Sequence, residues 1–233
     1  MVMTRKEFGY LLLWLLAGSL VIVLSFSLDG PVDAALNAHK YPTRHAFASV
    51  FSKLGEGWVP GIEAILLATL FMQRHRPDVA AKIFFVTLTG ELAGLVAVIV
   101  RTLAGRTRPS AHVPQGFYGL WHDGHWTIGQ FDFSSFPSGH AAIAVGLATA
   151  TWLLHRRWGA VLALFALAVS WSRVAFQSHH FSDVVASAVL AVPLAVILKR
   201  ILLPYLELQF AKLDRHWSKE KVFVPSGTGK GHA

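Results

Sequence analysis

The chain has 233 residues and no cysteine; 54% of the residues are strongly apolar and only 15% are charged. Soluble domains carry about 25% charged residues, so the composition excludes an ordinary soluble protein, and the lack of cysteine excludes disulfides, thiolate nucleophiles and Cys-ligated metals. The net charge of +8 would favour a nucleic-acid partner in a polar chain, but in a chain this apolar it indicates a membrane protein that binds no nucleic acid.

The first predicted element is a helix at residues 8–28, a run without a single charge. At 1.5 Å per residue such a helix crosses the roughly 30 Å of a bilayer core. A cleaved signal peptide is the alternative, but the run exceeds the usual apolar core of such peptides and no A-x-A site follows. We therefore expect an uncleaved membrane span.

Further apolar runs predict five more spans, separated by polar or Pro-containing stretches. They cover residues 58–73, 83–103, 138–154, 158–176 and 183–203. The expected fold is all-α, with six transmembrane helices in one domain over residues 1–203. Residues 204–233 are expected to form a cytoplasmic interfacial helix followed by a disordered tail.

The distribution of basic residues predicts the orientation in the membrane. With both termini inside, fourteen of the 21 Lys and Arg lie on the cytoplasmic side, as the positive-inside rule requires. The seven on the outer side are Lys40, Arg44, Lys53, Arg101, Arg106, Arg108 and Arg173. We expect a multi-pass protein of the cell membrane with two long outer connections, at residues 29–57 and 105–137, and a short one at 177–182.

Three polar segments are expected to meet at the outer face, where polar residues beside lipid are costly and indicate a site. They contribute three arginines, Arg101, Arg108 and Arg173, which would repel one another unless an anion lay between them. A guanidinium matches phosphate oxygens bidentately. Ser138 and Gly139 follow Pro137 as the start of a helix, where free N–H groups also bind anions. The pattern predicts a phosphate site.

Two histidines and a carboxylate complete this predicted site. Asp183 lies four residues after His179, so both share a face if the last span begins early enough. A carboxylate bonded to one ring nitrogen leaves the other free to attack, which makes His179 the expected nucleophile. His140 is expected to protonate the leaving oxygen and then to deprotonate water.

These segments resemble the signature of the type 2 phosphatidic acid phosphatase superfamily, also called lipid phosphate phosphatases. The family pattern is K-x6-R-P, P-S-G-H and S-R-x5-H-x3-D. The chain has Arg101-x6-Arg108-Pro109, Pro137-Ser138-Gly139-His140 and Ser172-Arg173-x5-His179-x3-Asp183. Arg101 departs from the usual Lys and replaces a compact ammonium with a planar fork.

The resemblance implies a membrane-embedded enzyme with its catalytic core on predicted spans three to six. It implies a two-step transfer through a phosphohistidine on His179, without metal or cofactor. Asp183 would orient His179, and His140 would act as acid and then as base. The three arginines with the backbone at Ser138 and Gly139 would stabilise charge on the phosphoryl group.

Several alternatives remain open at the level of sequence. The substrate is a membrane lipid phosphate, either undecaprenyl diphosphate, phosphatidic acid, phosphatidylglycerophosphate or a lipid A phosphate, and the acceptor is water or another lipid. An anionic-lipid transporter would need the arginines but not the histidines. A Ser-His-Asp hydrolase lacks its G-x-S-x-G elbow, and a haloperoxidase is disfavoured by the many spans. Four outer histidines without ligand spacing are expected to be loop residues rather than metal ligands: His112, His122, His125 and His180.

Overall fold

The computed structural model describes residues 4–38 and 42–222. Its seven α-helices are α1 (Arg5–Ala38), α2 (Pro42–Leu54), α3 (Trp58–Gln73), α4 (Pro77–Ala104), α5 (Gly139–Leu154), α6 (Arg156–Ala175) and α7 (Phe181–Val222). Between α4 and α5 lie two short antiparallel strands, β1 (Trp121–His122) and β2 (His125–Trp126), and a 3-10 turn at Phe131–Phe133.

The helices that face outward have the surface of a membrane protein. Within the described residues α1, α4, α6 and α7 are long and apolar enough to span a bilayer, and α2 and α3 together form a fifth candidate, broken by a bend of 53°. In the most apolar stretch of α1 only 11% of the residues are buried inside the protein. Such an exposed apolar surface is stable in lipid and not in water. The protein is a helical, multi-pass membrane protein.

The six predicted apolar runs all fall on helices. Within the described residues, however, at most five of the predicted six spans are long enough to cross a bilayer. The sixteen-residue α5 is apolar yet shorter than the usual spanning length. It packs against α4, α6 and α7, which places it inside the bundle. A helix surrounded by protein need not match the bilayer thickness.

Small residues bring α4 and α5 into close contact. A methyl group added at Gly94 would lie 2.6 Å from the side chain of Ile143, and one added at Gly146 would lie 3.0 Å from the Cα of Gly90. Glycines at i and i+4 let helix backbones approach in membranes, where packing rather than the hydrophobic effect joins helices. The contact fixes the outer end of α5 beside the end of α4.

The segment after α4 is fastened by a glycine. Gly105 ends the helix in the left-handed conformation with φ of 55°, and its amide donates to the carbonyl of Arg101. The carbonyl of Gly105 accepts from the amide of Tyr118, and a Cβ at Gly105 would lie 2.0 Å from the carbonyl oxygen of Gly119. Residues 105–138 therefore fold back over the end of α4 instead of extending away.

Two predicted boundaries differ from the structure. The outer connection expected at 29–57 is largely helical: α1 continues ten residues past Leu28 to Ala38, and α2 follows. The boundary expected at residue 203 falls inside α7, which passes Pro204 without ending. Neighbouring helices re-satisfy the backbone groups that a proline frees, so proline is tolerated in such bundles. Lys40 and the tail at 223–233 lie outside the described residues.

Candidate active site

Three helix ends meet where the polar segments were predicted to meet. Arg101 lies in the last turn of α4, Arg173 in the last turn of α6, and Arg108 four residues after α4 ends. The guanidinium of Arg108 is close enough to be influenced by the charges of both other arginines. The structure thus brings together the three arginines of the predicted phosphate site.

The Arg108 side chain is held rigidly by the 3-10 turn. Its Nε donates to the carbonyl of Phe131 at 2.9 Å, its Nη2 donates to Ser134 Oγ at 3.2 Å, and its Cζ lies 3.7 Å from the centre of the Phe131 ring. Burial, reinforced by the charges of Arg101 and Arg173, lowers the pKa of Arg108 to about 10. The group is still cationic at neutral pH, and its buried Nη1 has no partner among the described residues.

The helix α2, which the sequence did not predict, supports the third arginine. Arg173 Nη1 donates to Ser52 Oγ. The Nε of Arg173 is buried and has no partner among the described residues. One side of the guanidinium is therefore fixed to protein and another is available for a ligand.

The start of α5 faces the same space. Ser138 precedes the first helical residue, Gly139, and its buried hydroxyl has no partner within the described part of the chain. A Cβ at Gly139 would meet only Arg101 Nη1, at 3.6 Å. The first amides of a helix have no intrahelical acceptor and carry the positive end of its dipole. The amide of Ser138 itself donates to the carbonyl of Asp183 at 3.3 Å.

These groups form a strongly cationic pocket, and within the described residues its buried atoms Arg108 Nη1, Arg173 Nε and Ser138 Oγ have no partner. Leaving buried donors unpaired costs about 1 to 3 kcal/mol each, and like charges in low dielectric add repulsion. A tetrahedral phosphoryl group would satisfy the donors and neutralise the charge together. An anion of that kind is the ligand that the arrangement accommodates best.

His179 is buried at the edge of this pocket, in the link between α6 and α7. Its Nδ1 lies 2.7 Å from the carbonyl oxygen of Ser135 and 3.6 Å from Asp183 Oδ2. Both neighbours of Nδ1 are acceptors, so Nδ1 carries the hydrogen and Nε2 keeps its lone pair. The expected partner, Asp183, is thus an electrostatic neighbour, and the direct hydrogen bond goes to Ser135.

Burial is the main cause that lowers the pKa of His179, to about 4, and the Asp183 carboxylate opposes it. His179 is accordingly neutral over the physiological pH range. A neutral imidazole with a free Nε2 is the form that can act as a nucleophile.

Asp183 is fully buried in the first turn of α7 and is held from three directions. Its carboxylate accepts from Ser135 Oγ, from the amide of His180 at 2.8 Å and from Arg106 Nη1. Ser135 thus donates through its hydroxyl to Asp183 and accepts through its carbonyl from His179. The residue couples the carboxylate to the ring and was not identified from sequence.

His140 is half-buried in the first turn of α5, one residue after Gly139. It is near enough to His179 and to all three arginines to interact electrostatically with them. His140 thus lies close enough to the arginines and to His179 to take part in proton transfer at a phosphoryl group bound between them.

The predicted set omitted a second buried layer behind His179. Arg106, counted from sequence only as an outer charge, is buried and pairs with both Asp29 and Asp183. Its guanidinium lies 4.9 Å from the ring centre of Phe26 and 5.1 Å from that of Phe117. In the sequence, the one indication of a role for Arg106 is its place among small residues between Arg101 and Arg108. The sequence gives no indication of a role for Asp29, because this residue follows the predicted end of the first span.

The four outer histidines do not gather into one cluster. His180 is buried, with Nδ1 2.8 Å from Asp33 Oδ2 and Nε2 3.2 Å from the carbonyl oxygen of Thr107. The ring of His122 packs against that of Tyr118 at a tilt of 46°, with 3.9 Å between ring centres. Within residues 4–38 and 42–222 no group of three His, Cys, Asp or Glu has a metal-binding arrangement.

The chain is similar to known membrane proteins in sequence and in fold. The model of the PAP2 superfamily matches residues 80–205. LpxE of Aquifex aeolicus superposes with a TM-score of 0.53 and 24% identity, covering 73% of this chain and 93% of that one. A transmembrane PAP2-type phosphatidylglycerolphosphate phosphatase of Bacillus subtilis gives 0.58 and 21%, covering 82% and 94%. No curated protein sequence matches the chain. The matched residues run from α4 into α7 and leave α1 to α3 outside.

Proposed function

Because the chain belongs to the PAP2 superfamily, we propose that it is an integral-membrane lipid phosphatase that cleaves a phosphomonoester or diphosphate lipid through a phosphohistidine on His179. The observation that carries this proposal is a pocket in which three buried polar atoms have no partner within the described part of the chain: Arg108 Nη1, Arg173 Nε and Ser138 Oγ. A transporter would need such an anion pocket but not a buried imidazole with its Nε2 free beside it.

In the first step, the lone pair of His179 Nε2 attacks phosphorus as the bond from phosphorus to the lipid oxygen breaks. His140 gives its proton to that oxygen, and the negative charge of the bound phosphate favours the protonated form of His140 beforehand. The phosphorylated ring is positive, and its Nδ1 hydrogen stays on the carbonyl of Ser135 beside the Asp183 carboxylate. The arginines and the start of α5 stabilise the five-coordinate phosphoryl group.

In the second step, neutral His140 takes a proton from water while the water oxygen attacks phosphorus. The bond between nitrogen and phosphorus breaks and returns the electron pair to Nε2. Inorganic phosphate leaves, and both histidines recover their initial states. Transfer to a second lipid instead of water would follow the same steps with a lipid hydroxyl as the acceptor.

The substrate is proposed to be a lipid because the site lies at helix ends beside an apolar groove. The groove lies between α3, α4, α5 and α6 and has a volume of about 1090 Å³. Leu54 and Gly55, close in sequence to Ser52, line one end, and Lys82 and His155 line the other. We propose undecaprenyl diphosphate and general lipid phosphates as the first candidates and lipid A phosphates as the alternative.

The proposed orientation has six membrane crossings, with α5 as the fourth, both termini in the cytoplasm and the site on the outer face of the cell membrane. The fourteen inner basic residues support it. On this view the end of α7 beyond residue 203 lies along the cytoplasmic interface.

The activity test measures inorganic phosphate released by detergent-purified protein from four lipids: undecaprenyl diphosphate, phosphatidic acid, phosphatidylglycerophosphate and a lipid A phosphate. We expect release in the presence of EDTA, inhibition by vanadate, and loss of turnover by at least 1000-fold in His179→Ala, of the order found for other catalytic residues. Asp123→Asn, at an exposed loop aspartate, is the matched control. Turnover retained in His179→Ala would refute the nucleophile, and binding of the lipids without cleavage would favour transport.

A further inference from the structure

Two carboxylates of α1, Asp29 and Asp33, contact the residues around His179, although α1 lies outside the part of the chain that matches the family. Most of α1 faces lipid; its only buried residues are Gly18, Ser25 and Asp29 within Arg5–Ala38. Asp33 follows Asp29 by one turn and is on the same face of the helix. A buried carboxylate in a lipid-facing helix is costly and points to a function.

Asp29 holds the residue that precedes Asp183. Its Oδ1 accepts from the amide of Ser182 at 2.8 Å, and its Oδ2 accepts from Ser182 Oγ at 2.6 Å and from Arg106 Nη2 at 2.7 Å. The Ser182 amide lies in the first turn of α7, where a carboxylate satisfies a free N–H and opposes the positive end of the dipole. Asp29 therefore fixes the start of the helix that carries Asp183.

Asp33 holds the other side of the same link. Its Oδ2 lies 2.8 Å from His180 Nδ1, and its Oδ1 accepts from Gln177 Nε2 at 3.4 Å. Asp29 and Asp33 thus bracket His179 between fixed neighbours, Gln177 on one side and His180 and Ser182 on the other. The backbone of the nucleophile is positioned from α1.

Arg106 joins Asp29 to the catalytic carboxylate. Its Nη1 donates to Asp183 Oδ1 and to Ser182 Oγ, while its Nη2 donates to Asp29. The two carboxylates and one guanidinium leave a single net negative charge behind the His179 ring. That charge favours the positive ring formed when His179 is phosphorylated, and without Asp29 it would be cancelled by Arg106.

We propose that Asp29, acting through Arg106, is a positioning residue that sets the orientation and the effective charge of Asp183 and thereby the reactivity of His179. The inference rests on the proposed phosphatase function. It makes α1 part of the working site rather than an anchor alone. Asp33 has the narrower role of fixing the link on the other side of His179.

The experiment compares Asp29→Asn with wild type in full-length protein, using a lipid phosphate substrate and vanadate inhibition. The substitution keeps the shape but removes the charge, so Arg106 would neutralise Asp183. We expect kcat to fall about 10 to 100-fold, the range known for outer-layer partners of functional groups. KM should change less than about threefold, because Arg101, Arg108 and Arg173 are untouched. Vanadate mimics the five-coordinate transition state, so its inhibition should weaken along with kcat.

The pH profile separates this role from a structural one. Loss of negative charge disfavours the protonated ring of His179, so the acidic limb of kcat/KM moves to lower pH in Asp29→Asn. The charged groups that face His179 from the surrounding elements are otherwise unchanged: Asp183 and Arg106, Arg108, Arg173 and His140. The control is Asp123→Asn, because the side chain of Asp123 is 84% exposed. This variant should have the same kcat and the same acidic limb of kcat/KM as wild type.

A double-mutant cycle completes the test. If Asp29 acts through Asp183, then Asp29→Asn costs little further kcat in the Asp183→Asn background. If Asp29→Asn does not fold, Arg106→Lys replaces it: a lysine keeps the charge but cannot bridge two carboxylates with separate nitrogens, so kcat should fall at constant KM.

Three results, each with an active wild-type protein, would overturn the inference and leave the proposed function intact. They are an unchanged kcat in the variants, a changed melting temperature as the sole effect, and additive losses of kcat in the double-mutant cycle. A wild type that releases no phosphate would overturn both.

Discussion

At the scale of residues, the donors of the pocket differ in how firmly they are held. Arg108 is held by Phe131 and Ser134, and Arg173 is held by Ser52; among the described residues Arg108 Nη1 and Arg173 Nε have no partner. A guanidinium that is already oriented loses little entropy when it binds phosphate. The burial that removes its solvent also strengthens its attraction for an anion.

The state of His179 predicts the acidic side of the pH profile. With the pKa of His179 lowered to about 4, the free protein keeps this proposed nucleophile neutral down to that pH. We expect kcat/KM, which reports groups of the free enzyme, to decline on acidification only as pH approaches about 4, rather than near the ordinary histidine value of about 6.5. Rates of phosphate release from pH 3 to 9 measure this, and a decline centred near 6.5 would contradict it.

The missing side chain of Gly139 predicts a second effect. In Gly139→Ala the new methyl group would touch only Arg101, so the fold should tolerate it, yet it would occupy the approach to the first amides of α5. We expect kcat/KM to fall about tenfold, equivalent to about 1.4 kcal/mol, with an unchanged melting temperature. Gly61→Ala, where a Cβ meets nothing within 4 Å, is the matched control, and equal activity of both variants would contradict the prediction.

At the scale of elements, the proposed catalytic and phosphate-binding groups lie on helix ends that packing holds in register. Arg101 lies in the last turn of α4, Gly139 and His140 begin α5, and Arg173 lies in the last turn of α6. The glycine contacts between α4 and α5 therefore also set the spacing of the pocket. The loop from residue 105 to 138 depends on the turn at Gly105. That turn aims Arg106 inward toward Asp29 and Asp183.

The turn at Gly105 can be tested against a second glycine. Gly105 and Gly119 both have positive φ, but only at Gly105 would a Cβ meet backbone, 2.0 Å from the Gly119 oxygen. Gly119→Ala should cost about 1 to 2 kcal/mol of strain. Gly105→Ala should cost more and also reduce activity, because the loop must shift. Thermal unfolding in detergent measures the difference, and equal melting temperatures would show that the close contact is relieved cheaply.

The sequence predicts local patterns well and distant pairings poorly. Each apolar run became a helix. The motif residues Arg108, Ser138 and His179 meet because each lies at the end of a predicted span or in the connection next to one. The end of α1 was misplaced because Asp29 looked like the start of a polar loop. Its partners Arg106 and Ser182 are 77 and 153 residues away. Hydropathy carries no information on such a pairing, and Ser135 acts through a backbone carbonyl that no side-chain pattern encodes.

At the scale of the whole molecule, the proposed orientation predicts which residues can be reached from outside. The chain has no cysteine, so single cysteines can be introduced at Asp123 in the loop between α4 and α5 and at Lys212 near the end of α7. In intact cells an impermeant maleimide should label Asp123→Cys and should label Lys212→Cys only after permeabilisation. The opposite pattern would place the site in the cytoplasm.

The bonds of Asp29 also fix when the site can form during synthesis. Asp29 enters the membrane with the first helix, but Arg106 follows α4 and Ser182 arrives only with α7, the last helix within the described residues. Closing a loop of that length precedes any contact that stabilises it. A nascent chain that stops before α7 has Arg106 to pair with Asp29 but lacks Ser182 and Asp183, so the proposed phosphatase stays inactive until α7 has docked.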